Sequence, residues 1–304
     1  MANTREMIPY AFIRFFNEDL TLEVSLKSIA QVIKRGVLVY HRPLPGVKTD
    51  NSLEIAKKFV ATHPGFILVE YPYPVLPAGH SLYRQLSRIP LAWRLDTYYR
   101  YGLFWLQELA QQQQELERAW VVKIDADQVY SPSALEQLFQ YIQTDPLQRL
   151  CYFMASVDVV YYQDEIYVKS GNMRYEHDHY VVKLSSMPPI EFHCEEKGEE
   201  FFAYERMPFV PKRGIYDSND LLHYVTSFHF KANKILYRGG KVTESFSLYS
   251  GLSKLLDLEN FLGTKEFYRK ENALAIAKSL NWENNGTEFT LAQQDLQELS
   301  KHLS

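Results

Sequence analysis

Only two cysteines, Cys151 and Cys194, occur in the 304 residues. Two thiols alone build neither a disulfide framework nor a Cys-x-x-Cys metal site, so a reducing compartment is expected. No run approaches the roughly 18 apolar residues that would suggest a membrane span. The opening MANTREMIPYAFIRFFNE carries Arg5, Glu6 and Arg14 and no long apolar core, so it does not read as a secretory signal. The expected location is therefore the cytoplasm. A basic surplus is also lacking. The formal net charge of -4 argues against a general nucleic-acid binder. There is no Gly-rich basic phosphate loop, which removes the usual support for a nucleotidyltransferase. No internal repeat or long low-complexity run is present, and QQQQ at 111–114 reads as an exposed helix face. Asn285-Gly286-Thr287 matches a glycosylation sequon but reads as a turn in a cytosolic chain.

Aromatic residues, in contrast, are plentiful: 22 Tyr, 18 Phe and 4 Trp. Such rings fill cores, and Tyr and Trp also stack on sugars while their polar tips stay wet. Apolar content of 46% and charged content of 23% belong to an ordinary globular protein of one large or two small domains.

The first half of the chain alternates strand and helix. IPYAFIRFF (8–16) reads as a strand, with Asn17 and Asp19 as cap candidates. Leu22, Leu26, Ile29 and Ile33 mark one helix face that Gly36 is expected to end. GVLVYH (36–41) and GFILVEYP (65–72) read as strands, and the helix SLEIAKKFVATH between them turns Ile55 and Phe59 inward. A basic-aromatic stretch with Arg84, Arg88 and Arg94 follows, then a helix over 95–117 and the strand AWVVKIDAD. This order implies a mostly parallel sheet flanked by helices. Ligands bind such sheets beyond the carboxyl ends of the strands, where Asn17, His41, Tyr71 and Asp125 fall. Past residue 150 the pattern turns to antiparallel strands, with Gly171-Asn172 as a turn signal between two of them. The tail from Leu252 to Ser304 reads as helical. The division expected is 1–150, 151–250 and 251–304.

KIDADQVY (123–130) places Asp125 and Asp127 where an apolar strand gives way to a loop, with Ser131-Pro132 opening a helix. Residues i and i+2 of a strand share a side, and two carboxylates there repel unless a cation, water or positive partner intervenes. Mg²⁺ or Mn²⁺ bridging a nucleotide diphosphate to one or two carboxylates would satisfy them.

AFIRFFNEDLTLEVSLKSI, VLVYH, NSLEIAKKF and VVKIDADQVY together resemble the nucleotide-sugar half of GT-A fold glycosyltransferases, particularly family-2-like members of bacterial surface-polysaccharide pathways. The resemblance covers roughly residues 8–140. It implies a GT-A-like α/β sheet: residues 1–150 bind the nucleotide sugar, an antiparallel half over 151–250 faces the acceptor, and a helical segment follows. It also implies a UDP-sugar donor, a glycan or glycolipid acceptor, and Mn²⁺ or Mg²⁺. Asp127 would ligate the metal directly, and Asp125 would contact ribose or metal-bound water. His229 is the candidate third ligand, unless it is structural, and Lys231 would neutralise the diphosphate. Phe12, Arg14, Asn17 and His41 would surround nucleobase and ribose. The usual acidic residue after the second strand is not obvious, with Asp50 as its candidate. Peripheral contact with the inner membrane stays open.

The reaction also needs a base for the acceptor hydroxyl. RYEHDHY (174–180) offers Asp178, with Glu176 as its nearest competitor, though such a cluster also suits a solvated turn. Asp217 and Asp220 in YDSND are alternatives. A non-catalytic sugar or nucleotide-sugar binder on the same fold is a rival reading. A two-carboxylate glycoside hydrolase is another, but it wants its carboxyls about 5–9 Å apart across a sugar.

Overall fold

The computed structural model describes residues 6–77, 80–162, 165–187, 190–197, 200–206, 225–229 and 267–269. Strands β1 (Ile8–Phe15), β2 (Arg35–Arg42), β3 (Phe66–Pro74) and β4 (Ala119–Asp125) form a parallel set in the order β3-β2-β1-β4. Helices α1 (Leu22–Ala30), α2 (Ser52–Thr62) and α3 (Leu95–Gln112) connect them. Between β3 and α3 the basic-aromatic stretch forms two short 3-10 turns, Ser81–Arg88 and Leu91–Trp93.

Strand alternation sorts the core into two layers. Ala11, Ile13 and Phe15 of β1, with Val122 and Ile124 of β4, pack under α1, α2 and α4 (Pro132–Thr144). Tyr10 and Phe12, with Val37, Val39 and Val121, pack under α3. Both faces are covered, which is why these strands read as near-continuous apolar runs. The expected helix face holds for Leu22, Leu26 and Ile29, all buried on α1, whereas Ile33 is buried but lies beyond the helix end.

Gly36 corrects one expectation. The helix already ends at Ala30, and Gly36 lies inside β2, paired with Ala11. A Cβ there would stand 2.5 Å from the Ala11 carbonyl oxygen, so the residue is small to let two strands meet. Gly36→Ala is expected to lower stability by roughly 1–3 kcal/mol, the usual cost of overpacking. Urea denaturation with an unchanged midpoint would count against this. The helix over 95–117 is also shorter than expected. It stops at Gln112, and Gln114 takes a left-handed φ of 57°, so the glutamine run ends the helix.

The antiparallel half extends the same sheet. β7 (Glu165–Lys183) pairs with β4 through Trp120–Val122 and with β6 (Cys151–Tyr162) along its length. β10 (Val225–His229) lies parallel to β6 and antiparallel to the short β5 (Gln128–Tyr130). β8 (Glu191–Lys197) and β9 (Glu200–Arg206) form a separate hairpin. The turn expected at Gly171-Asn172 is absent, because β7 runs through it as one strand. Its ladder with β6 slips instead, so that 169–172 lie between the pairs Val159–Val168 and Val157–Met173. A second slip leaves 176–179 between the pairs Ala155–Tyr175 and Phe153–Tyr180. In the tail expected to be helical, the described piece is β11 (Phe267–Arg269), a strand on β7; the rest lies outside the described residues.

Candidate active site

The Asp-Ala-Asp turn joins β4 to β5 and is braced by hydroxyls. The Asp125 N–H donates to Tyr130 Oη (3.0 Å), and Ser25 Oγ of α1 donates to the Asp125 carbonyl (3.3 Å). Ser28 Oγ accepts from the Tyr130 N–H at 3.1 Å and donates to Ser25 O at 2.7 Å. Ser131 then caps α4 by accepting from the Ala134 N–H (3.1 Å), with Pro132 at the first turn as expected.

The two aspartates have different neighbours. Lys123 and Asp125 share the α3 side of β4, opposite Phe12 and Arg14 of β1. Lys123 Nζ donates to Asp125 Oδ1 at 2.8 Å. The lysine side chain is 3% exposed and the aspartate's 26%, so a buried ammonium sits beneath a partly open carboxylate. The other oxygen, Oδ2, takes His179 Nε2 of β7. A carboxylate accepts only, so Nε2 carries the proton. The side-chain amide of Gln128 lies 2.8 Å from the same Nε2, and Ser227 Oγ of β10 lies 2.6 Å from that amide. Burial works to raise the Asp125 pKa, but Lys123 and His179 outweigh it and hold the carboxyl well below the usual range.

Asp127 turns to a different partner. The pairing of β10 with β5 sets His229 opposite Gln128 and brings its Nε2 to 3.4 Å from Asp127 Oδ2. Two ligands at about 2.1 Å from an octahedral ion and at right angles are about 3 Å apart. The carboxylate is an oxygen donor of the kind Mn²⁺ and Mg²⁺ take, and the imidazole beside it favours Mn²⁺ over the harder Mg²⁺; either ion keeps other positions for phosphate oxygens and water. This donor pair therefore fits such a cation. Among the described residues no three His, Cys, Asp or Glu side chains gather as a ligand set.

The nucleotide-side candidates separate by exposure. Phe12 is fully buried, its ring edge-to-face with Tyr99 at 4.8 Å, and serves the core. Arg14 is half-buried, with its guanidinium carbon 4.4 Å from the Tyr99 ring centre and 5.9 Å from that of Tyr98. His41 stacks on Phe16 at 4.2 Å, and its Nδ1–H donates to the Arg42 carbonyl (2.8 Å). Burial pulls its pKa down to about 4, so it is neutral near pH 7 and keeps an acceptor at Nε2. Asn17, at φ 55°, donates to Lys48 O (2.9 Å) and accepts from the Asp50 N–H (3.1 Å). Its amide thus ties the 43–51 loop to the end of β1. Asp50 belongs to that same knot, accepting from the Ser52 N–H (2.8 Å) and the Asp19 N–H (3.0 Å).

Glu176 and Asp178 are placed by their backbone in the second slipped stretch of β7, and their side chains are not described. Asp217, Asp220 and Lys231 lie outside the described residues. In the sequence His179 stands out only as a neighbour of Asp178 in RYEHDHY, and nothing there marks Lys123, Gln128 or Ser227 as site residues. Lys123 had only the i,i+2 relation to Asp125, whereas the others depend on strand pairings far apart in the chain.

A mostly parallel sheet whose fourth strand ends in an Asp-Ala-Asp turn, continued by an antiparallel half that brings His179 and His229 to that turn, agrees with the GT-A-like glycosyltransferase sheet that the sequence resemblance implies. The chain belongs to the beta-1,4-N-acetylgalactosaminyltransferase (CgtA) family, whose model matches residues 3–178. No curated protein matches. Among solved structures, a glucosyl-3-phosphoglycerate synthase from Mycobacterium tuberculosis, crystallised with Mn²⁺, UDP and glucosyl-3-phosphoglycerate, is similar at 12% identity with a TM-score of 0.34. The match covers 60% of this chain and 58% of that one.

Proposed function

We propose that the chain transfers a sugar, N-acetylgalactosamine by the family's description, from its UDP-linked donor to a hydroxyl of a glycan or glycolipid acceptor. The product would be a bacterial surface polysaccharide or lipooligosaccharide. A β linkage made from an α-linked nucleotide sugar inverts the anomeric carbon, so a base on the acceptor side has to take the hydroxyl proton. The observation that carries the reading is the Asp127–His229 pair at the carboxyl end of the parallel strands, inside a family-matched chain. Asp127 and His229 would hold Mn²⁺ or Mg²⁺, which supplies positive charge to the departing diphosphate when bound. Arg14 and neutral His41 would meet the nucleotide, and Lys231 would add charge at the phosphates.

The hydrolase reading is disfavoured because Asp125 is committed to Lys123 and His179, which leaves no matched pair of carboxyls at this turn. No helix among the described residues is long and apolar enough to cross a membrane. A glycolipid acceptor would place the enzyme in the cytoplasm, in peripheral contact with the inner membrane. The test is thermal shift with UDP and UDP-N-acetylgalactosamine, with and without Mn²⁺. At a hundred times Kd, bound ligand adds about 2.7 kcal/mol to stability. UDP is expected to raise Tm only when Mn²⁺ is present. Binding without sugar transfer to any acceptor would instead favour the non-catalytic binder.

A further inference from the structure

We propose that the stretch between β3 and α3 is a docking surface for an anionic lipid bilayer, whose purpose rests on the glycolipid acceptor read above.

Residues 71–95 contain Arg84, Arg88 and Arg94 and no Asp or Glu, in a chain whose formal net charge is -4. Arg94 pairs with Asp96 at 2.9 Å, whereas Arg84 and Arg88 stand exposed on the outer side. A 3-10 turn repeats every three residues. Across the kink at Gln85, Tyr83, Leu86 and Ile89 accordingly face inward and pack with Leu76 and Trp93 as a small core of their own. Tyr83 Oη donates to the Leu76 carbonyl and accepts from the Leu95 N–H, each at 3.1 Å. With this inner side anchored, Leu82 and Leu91 turn outward at 38% and 68% exposure, and Tyr73 at the end of β3 is 50% exposed. The charge selects the partner. In a chain that is negative overall, a local positive surface is drawn to anionic headgroups. Guanidiniums would meet lipid phosphates while the leucines and the tyrosine ring enter the acyl boundary.

The place is suited to a membrane-borne acceptor. The Leu76 N–H donates to the Trp93 carbonyl (3.0 Å) and Tyr71 Oη to the Ala92 carbonyl (2.8 Å), which holds the stretch at the carboxyl end of β3. β3 is parallel to β2, β1 and β4, so this is the sheet end at which Asp125 and Asp127 stand. A molecule seated on this surface keeps that end beside the headgroups, where the sugar of a glycolipid lies.

Co-sedimentation of the full chain with phosphatidylglycerol–phosphatidylcholine vesicles, against phosphatidylcholine alone, tests this without using sugar transfer. The wild type is expected to bind the anionic vesicles at least about tenfold more tightly. Arg84→Gln with Arg88→Gln should weaken that binding by about thirtyfold, since each charge near such a surface is worth about fivefold. Leu91→Ser should weaken it by about tenfold. Lys57→Gln with Lys58→Gln removes the same charge from α2, which packs on the other face of the sheet, and should change binding by less than about twofold. Far-UV circular dichroism checks that each variant is folded. Should the arginine pair fail to fold, Leu91→Ser decides. Equal binding to both kinds of vesicle, no binding to either, binding retained in the arginine pair or in Leu91→Ser, or an equal loss in the lysine pair overturns the docking surface and leaves sugar transfer standing. The expected vesicle binding in a chain that neither binds UDP nor transfers sugar overturns the transfer reading alone.

Discussion

Asp127→Ala is expected to lower kcat/KM by on the order of a thousandfold, which corresponds to several kcal/mol of lost charge stabilisation. The same variant should lose the Mn²⁺-dependent part of UDP binding and keep its fold. Asp127 sits on a turn held by other residues, among them Tyr130, Ser25 and Ser28, so its truncation leaves the braces in place. His229 would lose its neighbour, but the β10–β5 pairing that carries it is made by backbone. The measurements are UDP affinity with and without Mn²⁺, release of UDP from UDP-N-acetylgalactosamine, and far-UV circular dichroism. Unchanged metal-dependent affinity in Asp127→Ala would remove the cation from this turn.

The second large effect is expected at Asp178. Asp178→Asn preserves shape and removes basicity, and it should cut kcat by about a hundredfold or more. UDP and Mn²⁺ affinities should stay near those of the wild type. The motive is placement. The base must come from the side of the sugar opposite the leaving nucleotide. Residues 176–179 fall where β7 and β6 lose register, and His179 at the end of that stretch reaches Asp125. Bulges of this kind are over-represented beside active sites, where they re-aim side chains. Single-turnover kinetics across Asp178→Asn, Glu176→Gln, Asp217→Asn and Asp220→Asn decide the assignment. Near-wild-type kcat in Asp178→Asn, with loss in one of the others, moves the base to that residue.

The parallel half was legible because its signals are local. Period-2 and period-3.6 patterns need only neighbouring residues, and the apolar runs of β1, β2 and β4 announced burial on both faces. Gly36 misled because glycine ends helices and also permits close strands, and only the position of Ala11 tells the two apart. Gly171-Asn172 read as a turn because the dipeptide suits one, yet β7 runs through it as one strand and its ladder with β6 resumes at Met173. At the site, the Asp-x-Asp motif was visible, and the resemblance assigned separate roles to Asp125 and Asp127, but the partners of Asp125 were not. His179 lies 54 residues from Asp125, and Ser227 lies 99 residues from Gln128. Asn17 looked like a ligand contact, whereas the backbone of Lys48 and Asp50, more than 30 residues away, occupies both ends of its amide.

The slipped stretch of β7 also bears on how such an enzyme can diversify. Val181–Lys183 are fixed by ladders with β4, and Met173–Tyr175 by the ladder with β6. Between these anchors, 176–178 carry no pairing with β6, and His179 pins the far end to Asp125. Residues added or exchanged there need not shift either anchor, because an unpaired bulge absorbs a change of length that a continuous ladder would pass on as a flipped face. A lineage could retune what it glycosylates at these three positions while inheriting the donor-binding sheet unaltered.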